Sequence, residues 1–254
     1  MKGGIYIKPV GILSDIHGNI EALKEVLENA EVEKWYCLGD IVGYNSSPRE
    51  CVEKIREIEA HTIAGNHDRA VTGNLDLNWF NATARTALKW TVDRLSTVER
   101  SFLNELETTG RCTIGEFEVL LAHGSPDPES PFRYLLSPGD IRSIFPFMKK
   151  FDILFVGHTH VAGYFYRFDK ESWNFKPAPG GCRIKLQPGK KYIVNVGSIG
   201  QPRDGNPQAS FALFYPGQKE IIIKRVEYNI GTVQERIIEA GLPESLASRL
   251  KDGR

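Results

Sequence analysis

The chain has 254 residues, enough for a sizeable buried core, and its 32 basic and 32 acidic residues leave a formal net charge of zero. No long basic run is present to track a phosphate backbone, which argues against a general nucleic-acid surface, and no stable nucleic-acid binding is expected. Cys37, Cys51, Cys112 and Cys182 are scattered, no apolar run reaches membrane-spanning length, and the amino terminus does not have the form of a leader. A cytoplasmic protein in a reducing compartment, without a membrane partner, is expected.

The first third alternates strand and helix. A strand over 5–13 leads to a helix near 19–29, where Asn19 is placed to cap and Ala22, Leu23, Val26 and Leu27 form an apolar face. A strand over 35–38 follows. A helix then starts at Pro48 with Ser47 as cap and Val52, Ile55 and Ile58 inward, and a third strand near 61–64 ends at Gly65. This order predicts parallel strands joined by right-handed crossovers. Residues 70–107 read as an inserted helical segment, with helices near 79–94 and 97–107 and a Ser96/Glu99 capping box before the second. Strands are expected at 111–114 and 117–122. A Pro-rich loop at 125–131, a helix near 138–149 and a strand over 151–156 come next. The β-rich remainder covers 162–168, 191–196, 210–215 and 219–228. The stretch 170–188, with Pro177, Pro179, Gly180, Gly181 and Pro188, reads as an exposed loop. Helices near 231–240 and 243–251 close the chain as packing elements or an oligomer contact. All of 1–254 reads as one domain that includes both helical segments.

Five of the six histidines fall in short blocks: Asp15-Ile16-His17, Gly65-Asn66-His67-Asp68, His123-Gly124 and Gly157-His158-Thr159-His160, joined by Gly39-Asp40. Four blocks follow apolar runs, and the Gly65 block follows the brief segment 61–64. A row of oxygen and nitrogen donors at the carboxyl ends of adjacent strands is where an open α/β sheet places its site. Asp15 and His17 are two apart, as are His158 and His160. In extended backbone each pair would project to one side and grip one site. Carboxylate, imidazole and amide donors together suit Mn, Fe or Zn, and two such ions would activate a water and clamp a phosphate. His61 reads as structural. Tyr44, Trp79, Phe80 and Asn81 are candidates to line a pocket, or else core residues.

The ordered set Asp-x-His, Gly-Asp, Gly-Asn-His-Asp, His and Gly-His-x-His resembles the calcineurin-like metallophosphoesterase superfamily, over residues 10–200. Its bacterial and archaeal phosphodiesterase-like branch looks most similar, through 13–19, 38–44 and 195–204. The resemblance implies a four-layer α/β/β/α sandwich and two divalent metal ions, with Mn²⁺ first and Fe, Zn or Ni as alternatives. Carried over by position, Asp15, His17 and His160 would hold one ion and Asn66, His123 and His158 the other, with Asp40 bridging. His67 would assist the leaving oxygen and Asp68 would orient it. Where protein phosphatases of the superfamily continue Gly-Asp-x-Val-Asp-Arg-Gly, this chain has Gly43, Tyr44 and Asn45. The phosphate-gripping Arg is absent, and Arg203 or Arg69 could replace it, with Tyr44 beside the substrate. The expected reaction is in-line attack of a metal-bridging hydroxide on a small phosphodiester or nucleotide-like substrate. A phosphomonoesterase or a dinucleoside polyphosphate hydrolase is the nearest alternative. A non-catalytic scaffold of the same fold is a distant one, because every ligand position here is filled by a competent residue.

Overall fold

The computed structural model describes residues 8–167 and 173–254; positions 5–7 and 168 of the expected strands, and 170–172 of the expected loop, lie outside them. Twelve strands form two six-stranded mixed sheets among the described residues. The first sheet holds β1 (Val10–Leu13), β2 (Trp35–Cys37) and β3 (His61–Thr62), which run parallel to one another. They are joined by α1 (Ile20–Glu28) and α2 (Pro48–Glu57). Asn19 caps α1 by accepting from the Ala22 amide at 3.1 Å. Ser47 sits at the cap position of α2, but its side chain makes no capping bond, and Pro48 at the first helical position sets the start.

The inserted helices are α3 (Asn66–Val71), α4 (Ala82–Val92) and α5 (Thr97–Glu105). α4 begins later than its apolar pattern suggests. Asn81 takes the cap, accepting from Ala84, and Trp79 belongs to a separate 3₁₀ turn at Leu77–Trp79. The Ser96/Glu99 box forms at the start of α5. The chain then enters the second sheet through β4 (Thr109–Ile114) and β5 (Phe117–Ala122). α6 (Pro138–Ile144) follows and passes into a 3₁₀ turn at Phe145–Met148, where Pro146 has no amide to continue the ladder. β6 (Ile153–Val156) and β7 (Gly163–Arg167) complete this stretch.

The expected loop at 170–188 instead contains β8 (Trp173–Pro177) and β9 (Cys182–Lys185), a difference with a simple cause. Both are edge strands, where Pro and a mostly exposed face are tolerated. β8 pairs with β7 at the edge of the second sheet, and β9 pairs with β12 at the edge of the first. β10 (Tyr192–Asn195), β11 (Ala209–Tyr215) and β12 (Glu220–Val226) follow, and then α7 (Ile230–Glu239) and α8 (Glu244–Ser248). The strand orders are β3-β2-β1-β11-β12-β9 and β4-β5-β6-β10-β7-β8, with β5, β6 and β10 parallel.

Alternation along the strands builds the layers. In β6, Ile153 and Phe155 face the other sheet, packing with Ile12 and Phe214, while Leu154 and Val156 face Ile141 and Ile144 of α6. In β2, Tyr36 enters the inter-sheet core, whereas Trp35 and Cys37 join Leu23, Val52, Leu88 and Ile237 beneath the helices. The result is an α/β/β/α sandwich in which α1, α2, α4, α5, α7 and α8 cover the first sheet. No helix among the described residues is long and apolar enough to cross a membrane.

Candidate metal centre

The parallel strands of both sheets end at one place. Asp15 and His17 follow β1, Asp40 follows β2 and Asn66 opens α3 after β3. From the second sheet, His123 follows β5, and His158 and His160 follow β6. All seven are buried. The extended backbone expected at these blocks is absent. Asp15, His17, Asp40, His158 and His160, with Tyr44, have φ between 50° and 65°; Glu59 and Lys219 are the other non-glycine residues with positive φ among those described. Such left-handed residues are held against local preference by surrounding structure. The turns also need bare backbone: a Cβ on Gly157 would lie 1.9 Å from Ser14 Oγ, and one on Gly65 would lie 2.0 Å from Asp40 Oδ1.

Each carboxylate has one oxygen tied and one free. Asp15 Oδ2 accepts from Ser14 Oγ at 2.6 Å and from the His158 amide at 2.9 Å, while Oδ1 is buried with no hydrogen-bond partner. Asp40 Oδ1 accepts from the His67 amide at 2.8 Å, and Oδ2 faces His17 and His123. Three imidazoles are oriented from behind: Nδ1 of His17, His123 and His160 meets the carbonyls of Val42, Leu38 and Gln201 at 3.1, 2.9 and 2.6 Å. Donation there turns each Nε2 inward, where it offers a lone pair whenever the ring is neutral. His17 Nε2 lies 3.1 Å from His160 Nε2, and His160 Nε2 lies 3.2 Å from Asp15 Oδ1. His123 Nε2 lies 3.1 Å from His158 Nδ1 and 3.2 Å from Asn66 Oδ1. Lone pairs converging this closely in a buried space fit a cation, and the residues present could hold two. The pair at 158 and 160 does not grip one site as extended spacing suggested; His158 turns to His123 and His160 to Asp15.

Charge reinforces the arrangement. Burial opposes ionisation of Asp15, yet His160 and His17 hold its carboxyl well below the usual range. Burial pushes His158 down to about 3 and His160 to about 4, the neutral form a ligand requires. His123 is the exception. Burial disfavours its charge, but Asp40 and Asp15 overcome that and raise it to about 9. Burial, helped by His17, His160 and Arg203, keeps His67 well below its ordinary value against the pull of Asp40.

The remaining expected residues sort themselves by contact. His67 lines a pocket of about 180 Å³ with Tyr44, Trp79, Phe80, Asn81, Tyr134 and Arg203, and Asp40, Asn66, His158 and His160 are at its wall. Its ring is packed by His17, Tyr44 and Phe80 at centroid distances of 4.7, 4.6 and 5.1 Å. Arg203 lies over Tyr44 at 5.5 Å. Asp68 does not reach the His67 ring. Its carboxylate accepts from the amides of Asp40, Ile41 and Gly65 at 2.8, 3.0 and 3.0 Å, so it pins the Asp40 turn to the start of α3. Burial, then Asp40, raises it to about 7. Arg69 is a correction: its guanidinium is bound to the carbonyls of Asn104 and Leu106 and is not part of the pocket wall. Two further residues have no role assigned from sequence, although Gln201 lies in the 195–204 motif. Tyr134, 46% exposed, stacks on His158 at 4.0 Å; Gln201, fully buried, orients His160 through its carbonyl.

Residues 9–219 match the model of the calcineurin-like phosphoesterase superfamily domain. An uncharacterized protein of Methanocaldococcus jannaschii, MJ0912, is 38% identical over 248 residues, covering 96% of this chain and 98% of that protein. The crystal structure of a metallophosphoesterase from Sphaerobacter thermophilus is similar at 38% identity and a TM-score of 0.81, over 98% of this chain and 100% of that one. The hypothetical protein PH1004 from Pyrococcus horikoshii OT3 shares 25% identity and a TM-score of 0.77, over 97% of this chain and 98% of that one. With its two sheets and its buried histidine–carboxylate cluster, the chain belongs to the calcineurin-like phosphoesterase superfamily.

Proposed function

We propose that the chain is a dinuclear metal-dependent phosphodiesterase that hydrolyses a small phosphodiester or nucleotide-like ester, in the cytoplasm, with Mn²⁺ as its metal. The observation that carries this reading is the position of Asp40 Oδ2, 3.6 Å from His17 Nε2 and 3.3 Å from His123 Nε2. One oxygen thereby borders both ligand groups. Asp15, His17 and His160 with Asp40 would hold one ion, and Asn66, His123 and His158 with Asp40 the other. Bound there, two divalent ions would make an attacking water more acidic and neutralise phosphoryl charge.

The chain's own side chains supply the rest. Arg203 brings a guanidinium to the pocket wall as the counter-charge for a phosphoryl oxygen. His67, held neutral by burial, donates a ring N–H to the leaving oxygen. Its packing by Tyr44, Phe80 and His17 fixes the aim. A pocket of about 180 Å³ takes the phosphate and its nearest atoms, leaving the rest of the ester against Trp79, 64% exposed, and Tyr134. The diester preference rests on Gly43, Tyr44 and Asn45 standing where protein phosphatases carry a second phosphate-gripping Arg.

The test compares bis-p-nitrophenyl phosphate with p-nitrophenyl phosphate, using protein stripped of metal and resupplied with Mn²⁺. Faster turnover of the diester, absent in Asp40→Asn, is expected. Preference for the monoester would move the assignment to a phosphomonoesterase, and metal-independent or absent turnover of both would overturn it.

A further inference from the structure

Gln201 is fully buried, and its side-chain oxygen accepts two hydrogen bonds, from Arg203 Nη2 at 2.8 Å and from Arg249 Nη1 at 3.4 Å. Two guanidinium nitrogens are therefore no more than about 6 Å apart. Neither arginine has a carboxylate partner among the described residues. Arg203 otherwise rests on the Tyr44 ring, and Arg249 donates to the Ser245 carbonyl. Next door, by contrast, Arg225 is buried against the carboxylate of Asp204. Arg203 Nε and Gln201 Nε2 are buried with no hydrogen-bond partner. Positive charge and unspent donors are thus concentrated at one point.

That point is beside the pocket. Arg203 and Tyr44 line it, and Tyr44 is close enough to act electrostatically on Arg249. Burial, then Arg203, holds Arg249 below its ordinary value, as expected for like charges facing each other. The pair is also rigidly mounted. The Arg203 amide donates to the His160 carbonyl at 3.0 Å, and the Gly205 amide donates to the Gly253 carbonyl at 3.0 Å, docking the carboxyl-terminal turn onto the 197–205 loop. The Asp204–Arg225 pair anchors the same loop to β12.

We infer that Arg203 and Arg249 form an anion subsite beside the metal cluster, which receives a second phosphoryl group of the substrate, not the one hydrolysed. The inference rests on the phosphodiesterase reading and narrows its substrate class to esters that carry a further phosphate. A carboxyl-terminal segment that sequence patterning marks as a packing element or an oligomer contact thereby becomes a determinant of specificity. Arg203 meets both phosphates, and Arg249 meets only the second.

The experiment uses Mn²⁺-loaded protein and two esters with the same scissile group: thymidine 5′-(p-nitrophenyl phosphate) and its 3′-phosphorylated form. The expected result is kcat/KM at least ~10-fold higher for the phosphorylated ester, with Arg249→Ala collapsing that ratio and Arg249→Lys keeping part of it. In parallel, calorimetry compares binding of thymidine 3′,5′-bisphosphate with thymidine 5′-monophosphate, which needs no turnover. A wild-type protein with no preference in either assay overturns the inference. So does an Arg249→Ala variant in which both substrates lose equally and the melting temperature falls, because that marks a tether. Preferential bisphosphate binding without any ester hydrolysis would keep the subsite and reject the phosphodiesterase reading. Ester hydrolysis without preference would do the reverse.

Discussion

The first sheet brings two carboxylates, one amide and one imidazole to the cluster, whereas the second brings three imidazoles and no carboxylate. Each set also depends on the other sheet for its aim. The amide of His158 holds Asp15 Oδ2, the Leu38 carbonyl orients His123, and Ser198 Oγ and the Gly200 amide bind the Asp15 carbonyl at 2.8 and 2.9 Å. Both carboxylates come from one side and three of the four imidazoles from the other, and neither half is a site alone. The distances within the cluster are therefore set by the inter-sheet core of Ile12, Phe155, Val194 and Phe214.

Asp40 belongs to the first sheet but borders ligands of both, so Asp40→Asn tests this division most severely. Turnover should fall by ~10³-fold or more, and metal analysis should find both ions weakened. Retention of one tight ion would show that the halves do not share it. His67 also comes from the first sheet and lies with His17 and Asp40 in a group that could itself hold an ion, although the proposed reading leaves it free of metal. His67→Ala should lower kcat by ~10²-fold while metal content stays constant; loss of metal would make it a ligand.

The second sheet can be isolated through protons. His123 is raised to about 9, so below that pH a proton occupies the nitrogen a metal needs. Affinity at the His123 side should rise by roughly tenfold per pH unit from 6 towards 9, with calorimetry in buffers of different ionisation enthalpy recording the released proton. The slope should vanish in His123→Ala. His158 and His160 are pushed below neutrality and should add nothing to it. The smallest effect concerns Arg69, which belongs to neither half. Arg69→Gln should leave kcat/KM within about twofold and reduce unfolding stability by about 1–2 kcal/mol through its lost carbonyl contacts.

Both sheets were legible except at one edge each: β9 of the first and β8 of the second went unread. β1, β2 and their helices announce themselves by apolar runs closed with Gly and by caps such as Asn19, because parallel strands are buried on both faces. β8 and β9 are hidden because they are edges, with Pro177 and a largely exposed face that imitates a loop. The ligand blocks stand out because Asp, His and Asn are unusual directly after apolar strands. Their left-handed backbone does not, since it comes from contacts between loops far apart in sequence. Arg249 and Tyr134 leave no local pattern at all; they reach the pocket only through the docking of the terminal turn and of the segment before α6.

The left-handed candidate ligands would bear on how fast metals come and go. Asp15, His17, Asp40, His158 and His160 hold their conformation through backbone bonds to neighbouring loops, with Asp68 and Gln201 as braces. A cavity shaped by such bonds keeps its form whether or not an ion is inside. Loading then requires little rearrangement of the chain, so exchange should be limited by dehydration of the incoming ion and by passage beneath Tyr134. The cell's pool of divalent ions, more than the protein's folding, would set which metal it carries at a given moment.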